Sequence, residues 1–260
     1  MLENKAAIVT GSTSGIGLGI AQALAAHGAH VMLNGFGDAA EIERTRAAMQ
    51  ERHGVQVRWS GADMSQPPQI RTLAELAAAE FGRVDIIVNN AGIQHVAPID
   101  EFDDARWDAV LAINLSSAFH LIKAVVPGMK ARRFGRIINV ASAHGLTASP
   151  FKSAYVAAKH GMVGLSKTVA LELAEFGITS NTICPGYVKT PLVDKQIADQ
   201  ARAHGISPEQ VVRDVMLSHQ ARKQFVQVEE LAALAVFLAS DAAASMTGAA
   251  LAMDGGWTLH

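Results

Sequence analysis

One cysteine, Cys184, stands in 260 residues. That excludes an internal disulfide framework and any thiolate cluster for zinc, and a reducing, cytoplasmic setting is the expectation. Charge of one sign is also lacking. Lys and Arg number 22 against 24 Asp and Glu, a formal net charge of −2, so no bulk attraction for nucleic acid or anionic lipid is expected. The 10 histidines are scattered, with no HExxH or other paired ligand spacing, and no metal site is expected. No apolar run approaches the ~18–20 residues that span a bilayer, so no membrane partner is expected. The opening MLENKAAIVTGS moves within a few residues into a strand and a glycine turn, and no signal peptide is expected. Low-complexity linkers and repeats beyond strand–helix alternation are missing too.

What is present is apolar and rhythmic. Apolar residues make up 50% of the chain, and at this length about 75% of the unfolded surface can be buried in one domain, residues 1–260. Ala6–Thr10, His30–Leu33, Val55–Trp59, Val84–Val88, Arg136–Val140, Thr179–Ile183 and Ala250–Met253 read as strands. Gly15–His27, Ala39–His53, Gln66–Phe81, Trp107–Lys130, Ala154–Phe176 and Val228–Leu238 read as helices between them. Such alternation predicts an α/β fold, a Rossmann-type doubly wound parallel sheet with helices on both faces. The stretch from Tyr187 to Phe225 breaks the rhythm. It is polar and helix-prone without a clear strand, and is expected to form a helical lid over the ligand crevice.

Thr10-Gly11-Ser12-Thr13-Ser14-Gly15-Ile16-Gly17 lies between the first strand and the first helix. Glycines there permit positive φ and close backbone approach, and the helix N-terminus offers free N–H groups to a pyrophosphate. Gly11 would make the tight turn, with Gly15 and Gly17 against the phosphates. The second strand ends in Asn34-Gly35-Phe36-Gly37-Asp38, without the acidic residue that often binds the ribose 2′-OH. Equally, no Arg or Lys lies in the glycine turn or just after that strand, where a 2′-phosphate would need a cation. A buried, unpaired phosphate is costly, so NAD is expected rather than NADP. Phe36 is expected to wall the adenosine, and Asp63-Met64 to meet an adenine edge.

Tyr155-Val156-Ala157-Ala158-Lys159 puts a phenol and an ammonium one helical turn apart. A nearby cation favours phenolate, so Tyr155 is expected to titrate below its usual value of about 10 and to act as an acid/base. Ser142 follows the strand Arg136–Val140, at the sheet end where open α/β sheets bind ligands. Its hydroxyl could hold a substrate oxygen. Asn114 sits mid-helix in an apolar stretch, where Asn is a poor helix former. It makes either a local hydrogen bond or a kink that holds a water. Asn89-Asn90-Ala91-Gly92 follows the fourth strand.

TGSTSGIG at 10–17, NNAG at 89–92, Asn114, Ser142, YVAAK at 155–159 and Pro185-Gly186 occur in order over nearly the whole chain. In this the sequence resembles the short-chain dehydrogenase/reductase family. The resemblance implies hydride transfer to a nicotinamide and a tetrad. Tyr155 is the acid/base, Ser142 orients the carbonyl, Lys159 binds the nicotinamide ribose, and Asn114 holds a relay water. It implies a cofactor site that draws on Gly11, Thr13, Gly15, Ile16 and Gly17 from the first turn. Phe36, Asp63, Met64, Asn90 and Gly92 would follow, then Tyr155 and Lys159, with Pro185, Gly186 and Val188 last. A homotetramer is also implied.

His144 is two residues past Ser142, on the same side if the chain is extended. Lys152 is three before Tyr155, on the same helical stripe if the first turn reaches that far. Gln94 follows the NNAG turn. Lys, His and Gln around a reacting carbonyl suit a small substrate bearing an anion. The proposed lid adds Gln196, and Trp257 would cover an apolar part of a ligand. Longer matching stretches, such as KSAYVAAKHG at 152–161 and DGGW at 254–257, resemble the branch of that family acting on small hydroxy or keto carboxylates. On that resemblance Gln94, His144, Lys152 and Gln196 bind the carboxylate, near Trp257 and Tyr187, the last standing where Trp is often found. Two other readings stay open. A 3-oxoacyl thioester reductase of the same family would want the missing phosphate cation, and an NAD-binding regulator would not need the Tyr-x-x-x-Lys pair.

Overall fold

The computed structural model describes residues 1–190, 193, 197, 201 and 205–259. Strands β1 (Ala6–Val9), β2 (His30–Asn34), β3 (Val57–Ser60), β4 (Ile86–Asn89), β5 (Gly135–Val140), β6 (Ile178–Pro185) and β7 (Ala250–Met253) form one sheet in the order β3-β2-β1-β4-β5-β6-β7. Every pairing is parallel. Between β1 and β4 the strand order reverses, and at this switch point the loops leaving the two carboxyl ends diverge and open a crevice.

The strands are apolar on both sides because both sides are covered. Side chains alternate across the sheet. Ala7, Val9, Val31 and Val88 pack in one cluster with Ile20 and Leu24 of α1 (Gly15–Ala26) and Leu231 and Ala235 of α7 (Val228–Ala239). Ile8, Met32, Ile87 and Ile137 pack in another with Ile70 and Leu73 of α3 (Pro67–Phe81) and Leu121 and Val125 of α5 (Ser117–Arg132). α1 and α7 approach closely at Gly19, where a Cβ would lie 2.1 Å from Val228 Cγ1. The helices between β2 and β3 and after β4 start on side-chain caps. Asp38 accepts from the Glu41 N–H at α2 (Ala39–His53), and Asp103 from the Arg106 N–H at α4 (Asp104–Leu111).

Two sequence expectations change here. The helix expected over Trp107–Lys130 is α4, a π-helical turn at Ala112–Ser116, and α5, running on from one to the next. As one span, Asp104–Arg132 is long and apolar enough to cross a membrane, with mean hydropathy 1.7 over an 18-residue window, where no such stretch was expected. Its apolar face lies on α3, β5 and α6 (Ser153–Leu173), so burial within this layer accounts for the composition.

Asp85 anchors the entry to β4. It is fully buried, accepts from the Ala6 N–H at 3.0 Å, and receives Arg83 at 2.6 and 2.8 Å, with Arg132 at 3.6 Å. Removing the carboxylate strands all of these donors. Both arginines reach solvent, so Asp85→Ala is expected to cost about 2–3 kcal/mol, less than for a fully buried pair. The shift of the urea unfolding midpoint measures it.

Candidate active site

The glycine turn is braced from behind. Thr10 Oγ1 accepts from the Asn90 and Ala91 N–H groups at 3.0 Å, while Asn90 Nδ2 donates to the carbonyls of Thr10 and Gly11 at 2.9 and 3.0 Å. Asn34, where an acidic residue was looked for, carries structure. Its Oδ1 accepts from the Gly11 N–H at 3.3 Å, and its Nδ2 donates to the carbonyls of Ser60 and Ala62. A Cβ on Gly17 would lie 2.3 Å from the Gly11 carbonyl oxygen. Gly15 takes a left-handed φ of 56° and would meet only Thr190 Cγ2, at 4.0 Å. Ser14 offers α1 no side-chain cap. Open backbone N–H groups and room at Gly15 fit a pyrophosphate. Thr13 ties to the Phe36 carbonyl at 2.8 Å and leaves the Phe36 ring exposed, as an adenosine wall would be. The Met64 side chain packs in the core, and Asp63 Oδ1 accepts from the Ser65 N–H.

A cavity of about 920 Å³ lies at the carboxyl ends of β4, β5 and β6. It brings together Ile16, Asn90, Gly92, Gln94, Ser142, His144, Lys152, Tyr155, Lys159, Gly186, Tyr187, Val188 and Trp257. Pro185 ends β6 just behind it. Asn114 does not line it. Gln196 lies outside the described residues; of the proposed lid, residues 187–190, 193, 197, 201 and 205–225 are described.

Three local geometries differ from expectation. Ser142 and His144 are joined by a short 3₁₀ turn at Ala143–Gly145 rather than by extended chain, because the Ser142 side chain caps that turn, accepting from the His144 N–H at 3.2 Å. Lys152 is the residue before α6, not part of its helical stripe, yet still reaches the cavity. Asn114 lies in the π-helical turn and makes a long-range pair instead of a local bond. Its Oδ1 accepts from the Ile93 N–H and its Nδ2 donates to the Ile93 carbonyl, both at 2.8 Å.

Electrostatics also differ. Lys159 is buried, donates to the Val140 carbonyl at 2.9 Å, and sits 5.5 Å from the Tyr155 ring centre. Burial pushes its pKa down to about 8. Tyr155 is not lowered as expected in the protein alone. Burial raises it, and a hydrogen bond from Ser142 pulls it partly back. Lys152 is lowered by the same loss of solvent. His144 is pushed down to about 4, by burial first and then by Lys152 and His160, so its ring is neutral at pH 7.

Sequence reasoning missed three residues. Ser149 meets His144 Nε2 at 2.8 Å. His219 stacks on Trp257 at 6.2 Å, and Trp257 stacks on Tyr187 at 5.5 Å. Gln220 is buried and accepts from the Tyr187 N–H at 3.1 Å. None of them stands in a motif, and the folded loops bring them against residues that line the cavity.

Residues 5–201 match the family model described as short chain dehydrogenase. The chain is 56% identical over 254 residues to a D-beta-hydroxybutyrate dehydrogenase of Rhizobium meliloti (strain 1021), covering 98% of each chain. It is 56% identical over 257 residues to an enzyme of the same name from Cupriavidus necator, covering 99% of each. Among solved structures, a putative short-chain alcohol dehydrogenase from Sinorhizobium meliloti 1021 superposes with a TM-score of 0.89 at 32% identity, covering 99% of this chain and 98% of that one.

The burial of His144 has a measurable consequence. Its folded pKa lies below its unfolded value, so the unfolded chain binds more protons between about pH 6.5 and 4, and stability falls as pH falls through that window. The loss from this residue reaches roughly 3 kcal/mol by pH 4. His144→Gln should therefore flatten the slope of unfolding free energy against pH in urea titrations between pH 7 and 5. Parallel slopes for the two proteins would contradict it.

Proposed function

Because the chain belongs to the short-chain dehydrogenase family, we propose that it oxidises (R)-3-hydroxybutyrate to acetoacetate with NAD⁺, and catalyses the reverse. The observation that carries this reading is one cavity lined by Lys152 and Gln94 together with Ser142 and Tyr155. Identity of 56% over nearly the full length to two enzymes named for D-beta-hydroxybutyrate supports it. Lys152, Gln94 and His144, with Gln196, hold the carboxylate. That leaves the C3 hydroxyl against Tyr155, which takes its proton, while Ser142 donates to the same oxygen as the carbonyl forms. The nicotinamide, when bound, supplies the hydride acceptor. Lys159 and Tyr155 would hold its ribose, and the glycine turn, Asn90, Gly186 and Val188 the rest of the dinucleotide. A positively charged nicotinamide held in the cavity would supply the lowering of Tyr155 that the protein alone does not. Asn114 acts through its backbone in the π turn, since its side chain is engaged with Ile93.

The preference for NAD⁺ rests on the stretch 34–43, which holds no cation and carries Asp38 at the start of α2. A homotetramer in the cytoplasm, with residues 187–225 as the lid, belongs to the same proposal. Exposed Phe119, Leu171 and Phe237 on α5, α6 and α7 support assembly.

The test is NADH formation across a panel of small hydroxy acids, in which (R)-3-hydroxybutyrate should lead, the (S) enantiomer should fail, and NADP⁺ should serve at least about a hundredfold worse. Removing one partner of a partly desolvated charge pair costs about 2–4 kcal/mol. Lys152→Ala should thus lower kcat/KM roughly 30- to 1,000-fold for the acid, and much less for an uncharged secondary alcohol of similar size. If the methyl ester matches the free acid, the carboxylate assignment fails and the 3-oxoacyl thioester reductase takes its place.

Tyr155→Phe deletes the proton acceptor and leaves the dinucleotide cradle. Turnover should fall by at least ~10²–10⁴-fold while NADH still binds, as followed by its fluorescence. A variant keeping a third of the wild-type kcat would refute the acid/base assignment.

A further inference from the structure

Among the described residues, three that are not glycine hold a left-handed φ: Asn4, Arg133 and Phe151. Asparagine tolerates that region, and Arg133 closes α5 as its C-cap. Phe151, at φ 66°, has neither reason. It follows Pro150 in a turn, and a proline followed by a left-handed residue is the pattern of a type II turn, where Gly or Asn belongs. The Phe151 side chain is exposed at 56%, so packing of the ring does not offset the strain. What the bend holds in place lies on the backbone around it.

The Phe151 carbonyl accepts from the Ala97 N–H at 3.0 Å. Ala97 stands three residues after Gln94, which lines the cavity. Two residues before the bend, Ser149 Oγ lies 2.8 Å from His144 Nε2. One residue after it, Lys152 reaches the cavity, and its carbonyl accepts from the Val156 N–H at 2.9 Å in the first turn of α6. The stretch Ser149–Lys152 thus touches each described segment that carries a side chain assigned to the carboxylate. A right-handed φ of about −65° at Phe151 would turn its carbonyl and Lys152 by roughly 130° relative to Ser149 and Pro150. Lys152 is committed to α6, so the ties to Ala97 and His144 cannot both survive that turn. We propose that Phe151 is a positioning residue whose left-handed bend sets Lys152, Gln94 and His144 to one carboxylate, and that it acts through its backbone and not its ring. Strain of this kind persists where the surroundings over-determine it, as at ligand clamps.

The inference rests on the dehydrogenase reading above and deepens it. The residue type at 151 separates bend from ring. Glycine and asparagine accept a left-handed φ, whereas β-branched residues resist it most. Wild type is compared with Phe151→Gly, Phe151→Asn, Phe151→Val and Phe151→Ile. The measurements are KM and kcat with (R)-3-hydroxybutyrate and NAD⁺, NADH affinity by fluorescence, and the Kd of acetate for the NADH complex by calorimetry. Phe151→Gly and Phe151→Asn should keep KM within about twofold of wild type although they delete the ring. Phe151→Val and Phe151→Ile should raise KM and the acetate Kd about five- to thirtyfold, as the fraction of competent conformer falls, with kcat and NADH affinity within about threefold. Should the branched variants fail to fold, Ala97→Pro deletes the N–H that the Phe151 carbonyl holds. Position 97 precedes Pro98 and so favours extended backbone that proline accepts, and the same rise in KM is expected. The proposal is overturned if Phe151→Val, or Ala97→Pro in its place, leaves KM within about twofold. It is also overturned if the glycine variant raises KM as much as the valine variant, or if kcat and NADH affinity fall along with the loss in KM. If wild type binds acetate but does not oxidise hydroxybutyrate, the substrate reading falls and the acetate constants decide the bend. If wild type binds neither acid, both readings fall.

Discussion

Withdrawal of water from the carboxyl ends of β5 and β6 sets the charge of every titratable group that the reaction needs. Lys159 falls to about 8 and His144 to about 4, and Tyr155 rises, with burial the leading cause in each. An opposite charge would normally be the strong lever on such groups, but here the cations near Tyr155 are themselves poorly solvated. Hydrogen bonds therefore carry what charge does not. Lys159 is held by one backbone carbonyl, that of Val140, which leaves two ammonium hydrogens for a ligand. Ser142 receives the His144 N–H and serves Tyr155. A site built this way is sensitive to single donors and acceptors, because an unmade bond in low dielectric is expensive.

The sheet makes that desolvation possible. With both faces of the strands covered, side chains from β4, β5 and β6 emerge together at their carboxyl edge. The loops that leave this edge are bound to each other before any ligand arrives. Thr10 and Asn90 lock the β1 and β4 loops together, and Asn114 reaches from the π turn to hold Ile93. A π turn widens the helix by one residue, which lets a mid-helix side chain address a neighbouring loop. This is the structural use of an asparagine whose helix propensity argues against its position.

Periodicity and turn chemistry made the fold readable in the sequence. Ala39–His53 and Ala250–Met253 keep their expected bounds because each ends on a clear signal, Gly54 in left-handed φ for the helix and the glycines after Asp254 for the strand. The ends of α4 and α5 were less legible, since a π turn leaves no mark on apolar spacing. In the site, Ile16, Asn90, Gly92, Ser142, Tyr155, Lys159 and Gly186 line one cavity, while Asn114 stands outside its lining. The geometry linking them was not readable where it depended on local caps: Ser142 capping its own turn brings His144 close, and the extended-chain argument reached the right neighbour by the wrong path. Tyr155 illustrates the other limit. Its spacing to Lys159 is a sequence property, whereas the burial that overrides the pairing belongs to the whole fold.

The far wall of the cavity shows how the tail and the loop after β6 are coupled. Trp257 stacks on Tyr187 and on His219 and touches the edge of His144. Its backbone is set by Asp254, which accepts from the Gly256 and Thr258 N–H groups. Tyr187 is set by Gln220, whose oxygen accepts the Tyr187 N–H and whose nitrogen donates to the carbonyls of Arg222 and Gln224. Room for that amide exists because positions 186 and 255 are glycines, where a Cβ would lie 2.8 and 2.7 Å from its polar atoms. A buried amide with all three partners satisfied stabilises one arrangement of these segments over others. The Tyr187–Trp257 stack thus joins the C-terminal segment to the residue that begins the proposed lid, and the hydrogen bonds of Gln220 and Asp254 seat the two sides of that stack.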